Sequence, residues 1–430
     1  MKELVPAALP LEFLDLIMVK NGSPIPSSSM INARIALGLL GCECRYDVFH
    51  DRYLIEGTAF GNSATQVSDP VIGKLRETIR LIYKFDPGKN NMWDAVNRAC
   101  EDRSFHPVVD YLDGLVWDGK PRIEKMFSTY FRAEDTPFNR GVARLLMVAA
   151  VRRIREPGAK FDCMVVLESP EGYGKSSALA ELFGRENFSD QTILGVQDKE
   201  LQEALRGRWC IEVPELVGLK RADIEKVKAA ITRETDRARP AYGRATVDVA
   251  RSMVLIGTTN DETYLRALSG ENRRFLPVRV GRVDFKALLR DRNQLWAEAS
   301  SEETWGDPLT LPQALWQDAS DQRASRTQID PWADVLADVA DQAERAQMAF
   351  VSDGDEPAAA IFDAVLGEHR VSSEYVLGTA LGLTVERRTP DQAKRAASVM
   401  RSLGWTGKFV RIKGEPMRGY ARPAPLEPWE

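Results

Sequence analysis

The sequence predicts an α/β protein in which a parallel sheet is preceded by a mainly helical region and followed by a smaller basic unit. Between residues 160 and 283, short apolar segments alternate with helix-like segments, which is the pattern of a parallel sheet covered on both faces. The predicted strands are Cys163–Leu167, Trp209–Val213 and Val254–Gly257, and a helix over Ser176–Phe183 follows the first of them.

The length of 430 residues is sufficient for two or three domains. Breaks rich in small and polar residues, together with changes of pattern, divide the chain into five segments. These are a small N-terminal module (1–68), a helical region that could act as an oligomerisation collar (69–158), the sheet with a helical extension (159–350), a linker (351–357) and a basic unit (358–430).

The basic unit is predicted to be winged-helix-like, because three helical patterns precede two strand-like segments that would form a β-ribbon. The helices are predicted over Ala359–Gly367, Ser372–Leu381 and Pro390–Leu403, and the ribbon strands over Trp405–Ile412 and Gly419–Arg422. The segment from position 387 to position 422 contains ten Lys or Arg residues and two acidic residues. This excess favours DNA as the ligand, with a partner protein as the alternative.

Composition argues against several classes of protein. A hydrophobic fraction of 44% and a charged fraction of 28% are those of an ordinary globular chain, and exclude a fibrous or largely disordered one. The first residues lack the apolar core of a secretory signal, and no window of about 18 uninterrupted apolar residues occurs. We therefore expect a cytoplasmic protein without a membrane partner. Five scattered cysteines and three histidines favour free thiols over disulfides or a metal centre.

The most informative segment is the glycine loop after the first predicted strand. Its pattern is that of the phosphate-binding loop G-x-x-x-x-G-K-[ST], except that Ser169 takes the place of the first glycine. The following helix would direct its free N–H groups and positive dipole end at the phosphates of ATP. Lys175 would contact the β- and γ-phosphates, and the hydroxyl of Ser176 would hold Mg²⁺. The predicted nucleotide-binding residues are Glu171, Gly172, Tyr173, Gly174, Lys175, Ser176 and Ser177.

Polar residues end the next two predicted strands. Glu212 and Glu215 are candidates for supporting Mg²⁺ and for the base that orients the attacking water, with Glu212 favoured and their division of labour left open. Asn260 could position that water, because an amide both donates and accepts hydrogen bonds. Taken singly, the same residues could be solvated carboxylates and an Asx-turn.

Two arginine-containing segments are candidates for contacts with a neighbouring subunit or with DNA. Arg273 or Arg274 could stabilise charge on the γ-phosphate from an adjacent subunit, with a surface basic pair as the alternative. Arg239, Tyr242 and Arg244 combine basic and aromatic side chains, which suits single-stranded nucleic acid. A nucleotide contact from a neighbouring subunit and a solvated helix face are equal alternatives for this second segment.

The order of these motifs resembles the virulence-associated protein E family of phage and mobile-element ATPases, related to superfamily 3 helicases within the AAA+ class. The similarity runs from about Val96 to Gly281. It is carried by His106-Pro107, Trp117–Arg122, Phe161–Ser176, Trp209–Leu216, Asp236–Arg244, Gly257–Asn260 and Gly270–Pro277.

The resemblance implies an AAA+-like P-loop ATPase core and assigns roles to the residues already singled out. In the family pattern, Lys175 with Ser176 is the Walker A pair and Glu212 with Glu215 is the acidic motif. Asn260 becomes the sensor, and the arginine pair is Arg273 with Arg274.

We therefore expect an ATP-hydrolysing, ring-forming DNA motor, with a hexameric replicative helicase of a phage or mobile element as the leading interpretation. Its partners would be single-stranded or forked DNA and a separate primase or initiator, because residues 1–95 are too short for a primase domain. The alternative is an ATP-switched DNA-binding or interference protein with little turnover. A small-molecule kinase is disfavoured, because no lid or acceptor-pocket motif is visible.

Overall fold

The N-terminal unit has a four-stranded, mostly antiparallel sheet covered by helices, and a separate two-stranded antiparallel sheet. The computed structural model describes residues 13–18, 24–57, 61–191, 204–214, 221–238, 247–266, 271–303, 308–328, 330–339, 341, 360–363, 368–412 and 414–423. The strands of this unit are β1 (Leu16–Met18), β2 (Pro24–Pro26), β3 (Glu43–Asp47), β4 (Arg52–Gly57), β5 (Gly61–Gln66) and β6 (Ser104–Phe105). Its helices are α1 (Met30–Leu39), α2 (Asp69–Tyr83) and α3 (Lys89–Glu101).

One hydrophobic core joins these helices to the N-terminal sheet. It includes Ile55 of β4, Leu75 of α2 and Met92 of α3, all fully buried. The domain boundary predicted at residue 68 therefore cuts through a packed core, because α2 and α3 cover the sheet instead of starting a separate helical region.

The next three helices pack on the central sheet, and the last of them is the longest described helix that precedes the sheet. They are α4 (Pro107–Asp113), α5 (Met126–Tyr130) and α6 (Pro137–Arg155). Helix α6 begins after Thr136, whose side chain accepts a hydrogen bond from the backbone N–H of Asn139, and Pro137 occupies the first helical position. Its last turn carries three arginines, which suits the negative end of the helix dipole.

The central sheet has five parallel strands in the order β14-β7-β12-β9-β8. The strands are β7 (Met164–Glu168), β8 (Phe188–Ser189), β9 (Cys210–Val213), β12 (Val254–Thr259) and β14 (Phe275–Arg279). Every residue of β7, β9 and β12 is buried, as expected for a sheet covered on both faces. The three predicted strands are confirmed, and their carboxyl ends meet at one edge.

Helices flank this sheet, and a two-stranded hairpin precedes β12. The helices are α7 (Lys175–Phe183), α8 (Arg221–Thr232), α9 (Phe285–Glu303) and α10 (Trp316–Ala324). The hairpin is β10 (Thr235–Ala238) with β11 (Val247–Ala250), and β13 (Leu265–Arg266) pairs with β15 (Thr327–Gln328). Aromatic rings of Phe183, Trp209 and Trp296 pack together between α7, β9 and α9. None of the described helices has the length and apolar character needed to cross a membrane.

The C-terminal unit is a four-stranded antiparallel sheet packed against helices. Its elements are α11 (Pro331–Ala337), β16 (Ala360–Asp363), β17 (Glu368–Ser372), α12 (Ser373–Tyr375, continued as a π-helix over Val376–Ala380), α13 (Pro390–Ser402), β18 (Thr406–Ile412) and β19 (Glu415–Pro423). The strand order is β16-β17-β19-β18, so β18 is an edge strand.

The helix predicted over Ala359–Gly367 is wrong, because residues 360–363 form β16 and pair with β17. A third helix is nevertheless present, since α11 contributes Leu336 to the hydrophobic core formed by β17 and α13. The unit therefore has three helices with a different first helix, and the predicted two-stranded ribbon is part of a four-stranded sheet.

Candidate nucleotide-binding site

The glycine loop lies between the carboxyl end of β7 and the start of α7. Gly172 and Gly174 both have positive φ values, 79° and 90°, which favour glycine. A Cβ atom on Gly174 would lie 2.8 Å from the ring of Phe285, so a side chain is also excluded there by space. No side chain caps the first turn of α7. Its free N–H groups are therefore available to an anion.

Lys175 is the first residue of α7, and only 8% of it is exposed. Its Nζ donates hydrogen bonds to the carbonyl oxygen of Ser169 at 2.6 Å, to the hydroxyl of Ser169 at 2.9 Å and to Oδ1 of Asn260 at 3.1 Å. Burial lowers the pKa of the Lys175 ammonium, whereas the negative charges of Glu212 and Glu171 oppose this decrease. The lysine is thus held inside the loop, where a phosphate would be bound.

Ser169 fits the position where the loop pattern has glycine. It is buried, and it is not among the described non-glycine residues with positive φ. Its backbone N–H donates to the carbonyl oxygen of Thr259 at 3.3 Å. The serine therefore leaves the backbone of the loop unstrained, and its chemical effect is to add a hydroxyl next to Lys175.

Glu212 lies in β9 and is 2% exposed. Its Oε1 accepts hydrogen bonds from the hydroxyl of Ser176 at 2.8 Å and from the hydroxyl of Thr258 at 2.5 Å. Its Oε2 is buried and has no hydrogen-bond partner among the described residues. An unpaired buried carboxylate oxygen is costly. This site therefore fits a bound cation or water that would satisfy it.

The sheet order explains how these residues meet. Strand β12 lies between β7 and β9, so Asn260, immediately after β12, comes between the loop and Glu212. Asn260 is exposed and directs its Oδ1 to Lys175. The structure thus brings together Lys175, Ser176 and Asn260 with Glu212, whereas Glu215 lies outside the described residues.

Arg273 and Arg274 lie at the other end of the strands. They belong to a 3₁₀ turn, Glu271–Arg274, that leads into β14. Strand β14 runs parallel to β7, with its first residue opposite Met164, so the glycine loop is a full strand length away, about 13 Å. Neither arginine forms an ion pair with a described residue. Arg239, Tyr242 and Arg244 lie outside the described residues.

A buried ion pair beside the loop was not predicted. Oε1 of Glu168, the last residue of β7, accepts hydrogen bonds from Nε of Arg326 at 2.6 Å and from the hydroxyl of Tyr264 at 2.7 Å. Burial and the negative charge of Glu168 raise the pKa of Tyr264, so its phenol remains a donor. A cavity of about 220 Å³ lies next to this group, and Ser169, Asn260 and Arg279 also line it. The sequence signal that could have predicted this ion pair is Glu168, an acidic residue at the end of an apolar strand.

The motif Trp117–Arg122 forms a turn that docks on α9. Asp118 and Arg122 form an ion pair at 2.7 Å within the turn. A buried carboxylate of α9, Glu298, accepts the backbone N–H groups of Arg122 at 2.6 Å and of Ile123 at 3.0 Å. This motif therefore fixes the helical region on the sheet and does not reach the glycine loop.

Comparisons with solved structures find distant matches. The apo structure of the NrS-1 C terminal region is 13% identical, covers 92% of this chain and 99% of its own, and has a TM-score of 0.46. A second apo structure of that region, the A form, is 14% identical, covers 91% and 99%, and has a TM-score of 0.48. The X-ray structure of JCV helicase is 12% identical, covers 58% and 77%, and has a TM-score of 0.24.

No curated protein matches the chain. The family model described as the virulence-associated protein E-like domain matches residues 112–328, which is half of the chain and includes the glycine loop, Glu212, Asn260 and the arginine pair. This chain therefore belongs to the virulence-associated protein E-like family.

Proposed function

We propose that this chain is a P-loop ATPase that acts on DNA, with the first turn of α7 and Lys175 binding the phosphates of ATP. The observation that carries the proposal is the hydrogen bond between Ser176 and Glu212, which sets a hydroxyl and a carboxylate with one unpaired oxygen beside the lysine. Hydroxyl and carboxylate oxygens are the ligands that Mg²⁺ takes from such proteins. In the described residues, no three His, Cys, Asp or Glu side chains could hold a metal ion together. Nucleotide and water would therefore complete the coordination.

The side chains divide the chemistry of hydrolysis among them. Lys175 would neutralise charge on the β- and γ-phosphates, and Asn260 would orient the attacking water by donating and accepting hydrogen bonds. Glu212, or Glu215 after it, would accept a proton from that water. Mg²⁺ supplies positive charge that stabilises the oxygens of the transferred phosphoryl group.

The position of the arginine pair supports a ring in which each subunit contributes arginines to the nucleotide site of its neighbour. Arg273 and Arg274 are a strand length from the loop of their own chain, so they could contact a phosphate only in another copy. We therefore propose a homo-oligomer, with a hexamer favoured. Mixing inactive Lys175→Ala chains with inactive Arg273→Ala/Arg274→Ala chains should restore part of the ATP hydrolysis, because some interfaces would regain both groups. Mixtures as inactive as their components would refute sharing.

DNA contacts are proposed at the hairpin that precedes β12. Strands β10 and β11 pair from Thr235↔Ala250 to Ala238↔Val247, and residues 239–246 connect them. That connection includes Arg239, Tyr242 and Arg244, the predicted contacts for single-stranded DNA. The leading interpretation is a phage or mobile-element replicative helicase, and a primase or initiator is a proposed partner.

ATP hydrolysis with and without single-stranded DNA tests the proposed motor. We expect stimulation by the DNA and ATP-dependent unwinding of a fork by the assembled ring. No stimulation, together with no unwinding, would exclude the motor.

A second candidate is an ATP-switched DNA-binding protein with little turnover. The observation that favours it is the retention of Lys175 by both oxygens of Ser169, which opposes release of the lysine to a phosphate. Lys175→Ala and Glu212→Gln separate the two candidates, because the second variant should still bind ATP without hydrolysing it. Equal loss of cellular activity in both indicates a motor, and retained activity in Glu212→Gln indicates a switch.

A further inference from the structure

The ribbon of the C-terminal unit exposes an aromatic ring. Phe409 lies in the regular part of β18 and is 71% exposed. The next residues on the opposite face, Val410 and Ile412, are buried. Near its hairpin end the ribbon is thus packed on one face, and Phe409 projects from the other.

Arginines surround this ring on the same face. Arg418 is directly opposite Phe409 on β19, and Arg411 is two residues along β18, about 7 Å away. Both are exposed. Two residues from Arg418 on the same face, Tyr420 is buried against the helices of the unit, so the exposed part of this face ends there. We call Phe409, Arg411 and Arg418 the ribbon patch.

The ribbon patch retains its positive charge, whereas neighbouring cations are neutralised. Four basic side chains of the unit form ion pairs with acids: Arg388 with Glu374, Arg395 with Asp330, and both Arg370 and Lys408 with Glu368. Within the described part of the chain, no acidic group pairs with Arg411 or Arg418. The positive charges of Arg411 and Arg418 can therefore attract a polyanion.

An exposed ring next to two arginines that have no acidic partner among the described residues suits the bases of a single strand. In a duplex the base faces are stacked on each other, whereas in a single strand they are free to stack on an aromatic side chain. We propose that the ribbon patch binds single-stranded DNA, with Phe409 stacking on a base and the two guanidinium groups holding phosphates. This site is separate from the hairpin proposed above and does not depend on nucleotide.

Fluorescence anisotropy of the full chain with a labelled oligothymidylate of about 20 nucleotides tests the ribbon patch. Phe409→Ala should weaken binding about 5- to 100-fold, and Phe409→Trp should not weaken it. Phe409→Leu keeps an apolar side chain without a π-face and should resemble Phe409→Ala. For Arg411→Gln/Arg418→Gln, the slope of log affinity against log salt should fall by about 0.7 for each phosphate that the protein no longer neutralises.

Lys408→Gln is the matched control, because Lys408 adjoins Phe409 but its charge is already paired with Glu368. It should leave the affinity almost unchanged. The ribbon-patch substitutions should change DNA affinity equally in a chain that also carries Lys175→Ala. This comparison distinguishes a failure of the ATPase proposal from a failure of the ribbon-patch proposal. Equal affinity of Phe409→Ala and the unchanged chain would overturn the proposal. Stronger binding to a duplex that also depends on Phe409 would overturn the assignment to single strands.

Discussion

Replacing Ser169 by alanine should tighten nucleotide binding. The hydroxyl of Ser169 accepts a hydrogen bond from Nζ of Lys175 at 2.9 Å, in a site where the lysine is almost fully buried. To contact a phosphate, the ammonium group must give up this bond. Removing the hydroxyl raises the free energy of the nucleotide-free state and leaves the bound state unchanged.

The expected size of the effect follows from the remaining acceptors of Lys175. A hydrogen bond to a charged group contributes about 1.5–3 kcal/mol. In the variant, three oxygens still accept hydrogen bonds from the ammonium group: the carbonyl oxygen of Ser169 at 2.6 Å, Oδ1 of Asn260 at 3.1 Å and the carbonyl oxygen of Pro170 at 3.4 Å. We therefore expect a net change of about 1 kcal/mol, or a Kd about fivefold lower.

Isothermal titration calorimetry with a non-hydrolysable ATP analogue measures this change. Ser169→Gly is the matched variant, because it also lacks the hydroxyl but adds backbone freedom. A lower Kd in both variants assigns the effect to the hydroxyl of Ser169. A lower Kd in Ser169→Gly alone assigns it to the backbone. Weaker binding in Ser169→Ala would refute the reasoning, because it would mean that the hydroxyl contacts the nucleotide.

Three other substitutions probe the core and the N-terminal unit. Glu212→Gln should keep nucleotide binding but lower ATP hydrolysis about 100-fold or more, measured as phosphate release, because an amide neither supports Mg²⁺ nor accepts a proton as a carboxylate does. Arg326→Met should lower the free energy of unfolding by about 3–5 kcal/mol in urea titration, because Glu168 would stay buried without its cation. Burial raises the pKa of Asp47, but hydrogen bonds, chiefly from His50, outweigh it and hold this pKa at about 2. The unchanged chain should therefore lose about 2 kcal/mol of stability as pH falls from about 4 towards 2, and Asp47→Asn should lack that loss.

Each of these outcomes has its own control. Arg279→Met removes an arginine of an exposed pair with Glu262 and should cost less than about 1 kcal/mol, in contrast to Arg326→Met. A folded Glu212→Gln chain that no longer binds nucleotide would show that the carboxylate is needed for binding of the Mg²⁺-nucleotide as well as for the chemical step. An acid transition unaltered by Asp47→Asn would contradict the depressed pKa.

Local patterns predict the parts of the site that lie at strand ends. Asn260 directly follows the apolar strand β12, Glu212 lies in the second half of β9, and Lys175 begins the helix after β7. Parallel strands bring these positions to one edge. Thr258 was not predicted, because a threonine within a strand has the ordinary preference of a β-branched residue. Arg326 was not predicted either, because its partner Glu168 is 158 residues away in sequence.

The C-terminal unit shows how pairing overrides local preference. The segment from Ala358 is rich in alanine, which favours a helix. Ile361 and Phe362 instead lie in β16, where they pair with Arg370 and His369 of β17. The third helix of this unit, α11, precedes the predicted linker. No local pattern in the sequence indicates that Leu336 of α11 packs in a core with residues of β17 and α13.

The hydrogen bonds of His50 give the N-terminal unit a mechanical connection to the nucleotide site. Nδ1 of His50 contacts Asp47 at 2.7 Å, and Nε2 contacts Oδ1 of Asn187 at 3.0 Å. Asn187 belongs to the turn that follows α7, and its amide donates to the carbonyl oxygen of Phe183, the last residue of that helix. Any rotation of α7 therefore either moves the N-terminal unit with it or breaks this chain of contacts. The N-terminal unit is thus joined to the helix that begins with Lys175 at the end of that helix farthest from the glycine loop.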